Sequence, residues 1–81
     1  MARVLVTAGE CDEFTGGLRD FQVDAADVRS LMRALEARFP GLSRLMESRV
    51  NLAVDGVIIP AWTGPLRPDS EVALVPRMGG G

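Results

Sequence analysis

Between Val28 and Phe39 the apolar residues Val28, Leu31, Met32, Leu35 and Phe39 fall at i, i+3, i+4, i+7 and i+11. That spacing puts them on one face of a helix. Such a stripe must be covered by another element, so the chain has to be built around a single long helix with something apolar laid against it. Either Asp24 or Asp27, in the run Asp24-Ala25-Ala26-Asp27, suits the N-cap, and both suit the positive end of the helix dipole. Pro40-Gly41 stops the helix. Leu42, Leu45 and Met46 predict a short second helical segment over Gly41 to Glu47. Arg29, Arg33, Glu36 and Arg38 lie off the stripe and predict a solvated face.

The segments on either side carry strand signals. Arg3 to Ala8 is rich in β-branched residues, with Val4 and Val6 on one face and Arg3, Leu5 and Thr7 on the other. Gly9 to Gly17 predicts a polar turn closed by glycines, with Cys11 as a small loop residue and Phe14 capping the core. Leu18 to Val23 predicts a second strand anchored by Leu18, Phe21 and Val23, paired with the first as a hairpin. Val50 to Val54, the hairpin signal Asp55-Gly56, and Val57 to Ile59 follow, ended by Pro60. Trp62 to Ser70 is a turn-rich connection pinned by Trp62 and Leu66. Glu71 to Val75 is the last strand, with Val72 and Leu74 facing one way and Ala73 and Val75 the other. The expected order is β-β-α-β-β-β, an α+β fold with a mixed sheet packed on one main helix and the last strand beside the first. Leu5, Thr7, Ala73 and Val75, with Ile58, are then the outward apolar patch.

A chain of 81 residues makes one domain, too small for a core plus an enclosed active site. A net charge of −2 argues against a nucleic-acid footprint. There is no His, Tyr or Lys, and all nine positive charges are Arg, so the usual general base and the commonest neutral metal ligand are missing. Cys11 is the one cysteine, with acidic neighbours that disfavour a reactive thiolate. No apolar run approaches a membrane span and the N-terminus shows no signal-peptide pattern, which predicts the cytoplasm.

The chain closes with Pro76-Arg77-Met78-Gly79-Gly80-Gly81. Consecutive glycines lose the most conformational entropy on ordering and bury nothing, so residues 76–81 are expected to be a flexible tail on a folded domain of residues 1–75. A frayed terminus is one reading. The other is a probe. Without Cβ atoms it can enter a narrow channel, and six extended residues reach roughly 20 Å.

Strand order and tail together resemble the ubiquitin-like β-grasp fold, and more closely the MoaD/ThiS-type sulfur-carrier family, which contains the small subunit of molybdopterin synthase and the thiamin sulfur carrier. The matching marks are Val4-Leu5-Val6, the helix from Val28 to Leu35, Val54-Asp55-Gly56, Pro65-Leu66, Asp69-Ser70-Glu71-Val72, and Val75-Pro76 ahead of the terminal Gly80-Gly81. The resemblance implies a carrier protein rather than an enzyme. An E1-like adenylyltransferase would use ATP and Mg2+ to adenylate the Gly81 carboxylate. A sulfur donor would displace AMP to leave a thiocarboxylate, which donates sulfur in cofactor biosynthesis, molybdopterin first. Arg77, Met78, Gly79 and Gly80 would thread the partner's channel, and Val75, Ala73, Leu5, Thr7 and Ile58 would meet partners, among them the large subunit of molybdopterin synthase. Thr7 departs from the aromatic residue many relatives carry, and Arg77 from their proline or alanine. Carriage of sulfur for thiamin, cysteine or another thio-metabolite, attachment to other proteins as a ubiquitin-like modifier, and a plain interaction module are the other readings.

Overall fold

The computed structural model describes residues 1–77. Its elements are β1 (Ala2–Val6), a 3-10 turn (Gly9–Cys11), α1 (Asp12–Thr15), β2 (Asp20–Val23), α2 (Val28–Arg38), α3 (Leu42–Arg49), β3 (Val50–Val54), β4 (Val57–Ile58) and β5 (Glu71–Pro76). The five strands form one sheet in the order β2-β1-β5-β3-β4. β1 pairs antiparallel with β2 and parallel with β5, and β5 pairs antiparallel with β3. This is the β-grasp: a mixed sheet around a central last strand, with α2 across one face.

All five stripe residues, four on α2 and Phe39 at its C-cap, are buried, against Val4, Val6, Leu52, Val72 and Leu74 from the sheet. Each large side chain so buried contributes about 1.5–3 kcal/mol. Asp27 is the N-cap; its Oδ1 accepts from the Ser30 N–H at 2.7 Å. Asp24 is not used. At the other end the chain turns through Gly41 at φ +96°. A Cβ there would lie 2.7 Å from the Phe14 ring, so close approach and backbone conformation both call for glycine. Gly41 has no side chain to cap α3, and Glu36 supplies the cap. Its carboxylate accepts from Gly41 N at 2.8 Å, Ser43 N at 3.0 Å and Ser43 Oγ at 2.6 Å. The expectation that Glu36 is merely solvated is therefore corrected. Arg38 is exposed as expected, and its guanidinium also lies 5.0 Å from the Phe21 ring centroid and 5.1 Å from that of Phe39.

The segment after β1 is the largest departure. Gly9 to Gly17 is a 3-10 turn running into α1, and it buries Cys11 and Thr15. Cys11 is thus a core residue rather than a loop residue. Leu18 is 37% exposed and anchors nothing, because β2 starts only at Asp20. Phe14 packs against the core as expected.

The β3–β4 turn is the hairpin signal read from Asp55-Gly56, with both residues at positive φ. Asp55 also ties that turn to the start of β5, accepting from Glu71 N at 2.9 Å and Ser70 Oγ at 3.0 Å. The connection before β5 is stitched to the start of α2 by Val28 N–H to Gly64 O and Leu66 N–H to Ala26 O.

These carboxylates make stability depend on pH. The Ser30 bonds hold Asp27 below the usual carboxylate range, the Ser43 hydroxyl and the Gly41 and Ser43 amides do so for Glu36, and the Glu71 amide and Ser70 hydroxyl for Asp55. A carboxylate depressed in the folded state binds its proton more readily when unfolded. Its stabilisation is present above the unfolded value of about 4 and is lost as pH falls through the lower folded value. Circular-dichroism melts should therefore show a melting temperature that falls on acidification below about pH 4. Glu36→Gln, already without its ionised cap, should lose less over the same range.

Candidate functional site

The strand pairing sets one row of side chains across the face of the sheet that α2 does not cover. Leu5 on β1 sits opposite Ala73 on β5, Ala73 opposite Ala53 on β3, and Ala53 opposite Ile58 on β4. Neighbouring strands lie roughly 4.8 Å apart, so these four residues make an apolar bar roughly 14 Å long. Leu5 and Ala73 are half-buried, and Ile58 is 57% exposed. Val75, half-buried, is on the same face two residues along β5 and pairs with Asn51.

Charge frames the bar. At one end Arg3 donates to both oxygens of Asp20, at 3.0 and 2.7 Å, and stands 3.7 Å from Glu71. The hydrogen bond from Arg3 holds the Asp20 carboxyl low, and Asp20 in turn raises the guanidinium. To one side, beyond the C-terminal end of β5, Arg77 Nε donates to Asn51 Oδ1 at 3.2 Å. An apolar centre with a polar rim is the anatomy of a protein-docking surface.

β5 runs one residue further than the sequence predicts, because Pro76 pairs with Val50. Arg77 is also tied down, its N–H donating to Arg49 O at 3.0 Å. The chain is therefore held to the body of the domain as far as Arg77. Arg77 is exposed and lines two open clefts. One of about 230 Å³ is shared with Glu47, Pro60, Ala61 and Trp62. The other, of about 430 Å³, is shared with Glu10, Ser48 and Arg49.

Of the residues predicted from sequence, Leu5, Ala73, Val75 and Ile58 share this face. Thr7 is exposed one residue past β1, but its hydroxyl is occupied, donating to Leu74 O at 3.0 Å. Met78, Gly79, Gly80 and Gly81 lie outside the described residues. Ala53 was missed. Strict alternation along Val50 to Val54, with Leu52 in the core, is the signal that would have found it.

The described residues offer little for chemistry of their own. Burial, then Glu10 and Asp12, push the Cys11 thiol up and away from the reactive thiolate. No group of His, Cys, Asp and Glu among the described residues is arranged to hold a metal ion. Among them, no helix is long and apolar enough to cross a membrane.

Two solved structures share the fold. A chain of the crystal structure of the Amycolatopsis orientalis BexX/CysO complex superposes with a TM-score of 0.81 at 17% identity, covering 100% of each chain. A chain of the complex of subunits 1 and 2 of molybdopterin-converting factor from Helicobacter pylori 26695 gives 0.70 at 21% identity, covering 99% of this chain and 97% of that one. No curated protein sequence gives a significant match. The ThiS family model matches residues 8–81, nearly the whole chain from the end of β1 through the terminal glycines, and the chain belongs to the ThiS family.

Proposed function

We propose that this chain is a sulfur carrier whose Gly81 carboxylate is adenylated by an E1-like enzyme and converted to a thiocarboxylate. The observation that carries this reading is the ThiS family match through Gly81, taken with the course of β5 up to Arg77. β5 brings Arg77 to the edge of an apolar, polar-rimmed face, and the family match runs through Gly81. A carboxylate is a poor electrophile because its charge is delocalised. Attack of its oxygen on the α-phosphorus of ATP releases pyrophosphate and leaves a mixed anhydride with AMP as a good leaving group. The activating partner supplies ATP, Mg2+ and the catalytic groups; this chain supplies the carboxylate and the docking face, acting in the cytoplasm as a carrier rather than an enzyme. Glycine at Gly80 and Gly81 leaves the reacting carbon unhindered and lets the partner's donors close on the developing oxyanion.

The sulfur acceptor we propose is the molybdopterin pathway, with the large subunit of molybdopterin synthase as partner. The fold shared with a chain of molybdopterin-converting factor, itself a complex of two subunits, supports this. The higher TM-score against the BexX/CysO complex and the ThiS family match favour a second reading, a carrier serving thiamin, cysteine or another thio-metabolite. Mixing the thiocarboxylated chain with the large synthase subunit and its precursor separates the two. Loss of the sulfur to the precursor is expected. Retention there, with transfer to a thiazole synthase instead, overturns the molybdopterin assignment. Covalent attachment to lysines of other proteins would mark a modifier.

Docking makes its own prediction. Ala73→Arg places a charge in the middle of the apolar bar, on a half-exposed site that the core does not use. It should leave the circular-dichroism melt nearly unchanged and weaken association with the activating enzyme at least about tenfold, measured by calorimetry, because central interface positions dominate binding.

A further inference from the structure

On the helical side of the molecule, away from the apolar bar, α2 and the loop after β4 enclose an open groove of about 370 Å³. It is lined by Arg29, Met32, Arg33, Glu36, Ser43 and Trp62. Arg29 and Arg33 stand one helical turn apart and are exposed. Neither makes a salt bridge or a side-chain hydrogen bond among the described residues. The carboxylates nearest them are otherwise engaged: Asp27 by the Ser30 amide, and Glu36 by Gly41 and Ser43. Met32 and the half-buried indole of Trp62 supply an apolar floor. The groove thus holds two guanidinium groups without a salt bridge over an apolar surface, partly offset by the Glu36 carboxylate in its wall and by Asp27 nearby, on a chain whose net charge is −2.

We propose that this groove docks an acidic segment of a partner protein, two carboxylates pairing with Arg29 and Arg33 and an adjacent apolar side chain resting on Met32 and Trp62. Guanidinium groups pair bidentately with carboxylates, and an aromatic with an aliphatic neighbour is the usual anchor beside them. The orientation is set by charge as well. Trp62 also lines the cleft at the C-terminal root, together with Glu47 and Arg77. There Arg77 offsets Glu47, whereas Arg29 and Arg33 act together, so the acidic part of the segment lies toward Arg29 and the apolar side chain toward the indole. A partner seated this way borders the root of the tail from the helical side and leaves the sheet face free.

Trp62 is the sole tryptophan, so its emission reports directly on the groove. The full chain is titrated at low salt with the blocked peptide acetyl-Asp-Glu-Glu-Leu-Phe-amide, with the Asn/Gln version as control. A saturable change in emission is expected, matched by movement of the Arg29 and Arg33 guanidinium signals in nuclear magnetic resonance. The Arg29→Gln/Arg33→Gln variant should bind at least about tenfold more weakly, and added salt should weaken the wild type. No saturable change in either signal overturns the proposal. So does equal binding by the neutral peptide or by the double variant, and so does saturable binding of ATP where the peptide gives none. Peptide binding is read without any activating enzyme, so it fails independently of the thiocarboxylate chemistry.

Discussion

Deleting Gly81 is expected to abolish thiocarboxylate formation while leaving the melting temperature of the domain unchanged. Removing one extended residue withdraws the terminal carboxylate by roughly 3.5 Å. In a reaction that depends on positioning, a misplacement of about 1 Å can cost about a hundredfold, so a shift several times larger should take adenylation below detection. The domain should not register the loss. The sheet closes with the Val50–Pro76 pair, and among the described residues every core residue lies at or before Leu74. Pyrophosphate exchange with the activating enzyme measures the first effect and a thermal melt the second. A deletion variant still adenylated at the wild-type rate would show that Gly81 is not the reacting residue.

Leu74→Ala should do the opposite. Leu74 lies on β5, the strand shared by β1 and β3, and it is fully buried in the core that α2 covers. Truncation there removes apolar area and leaves a cavity under the helix, at a cost of about 2–5 kcal/mol. For a domain of this size that lowers the melting temperature by about 8–40 °C. At a temperature where the variant is still folded, its carboxyl terminus should be adenylated normally. The pair of variants therefore separates what the body does from what the tail does: one keeps the body and loses the chemistry, the other weakens the body and keeps it.

The fold was legible where a single period governs a segment. The stripe from Val28 to Phe39 is buried as a unit, and β3 and its Asp55-Gly56 turn fall where the β-branched residues put them. It was illegible from Gly9 to Leu18. There Cys11 and Thr15 are buried on a 3-10 turn and a one-turn helix made largely of acidic and small residues, and a stretch that short carries no period. Glu36 misled for a related reason. Its position on α2 says solvent, and only the path of the chain through Gly41 brings the start of α3 into its reach. The outer apolar face was half legible. The sequence placed Leu5, Ala73 and Val75, with Ile58, on the outer side, but setting Ala53 between Ala73 and Ile58 needed the register between strands, which no single strand encodes. Arg77 could be read as part of the tail because the sequence after Pro76 has no strand signal. Its hydrogen bonds to Arg49 and Asn51 come from atoms distant in sequence.

The central claim is that a rigid domain presents its own terminal carboxylate to a partner's catalyst. Its most direct test is the intact mass of the chain after incubation with the cognate activating enzyme, ATP, Mg2+ and a sulfur donor, followed by fragmentation to locate the change. The account predicts a gain equal to one sulfur exchanged for one oxygen, placed on Gly81. An unchanged mass contradicts it, as would a whole added sulfur located on Cys11.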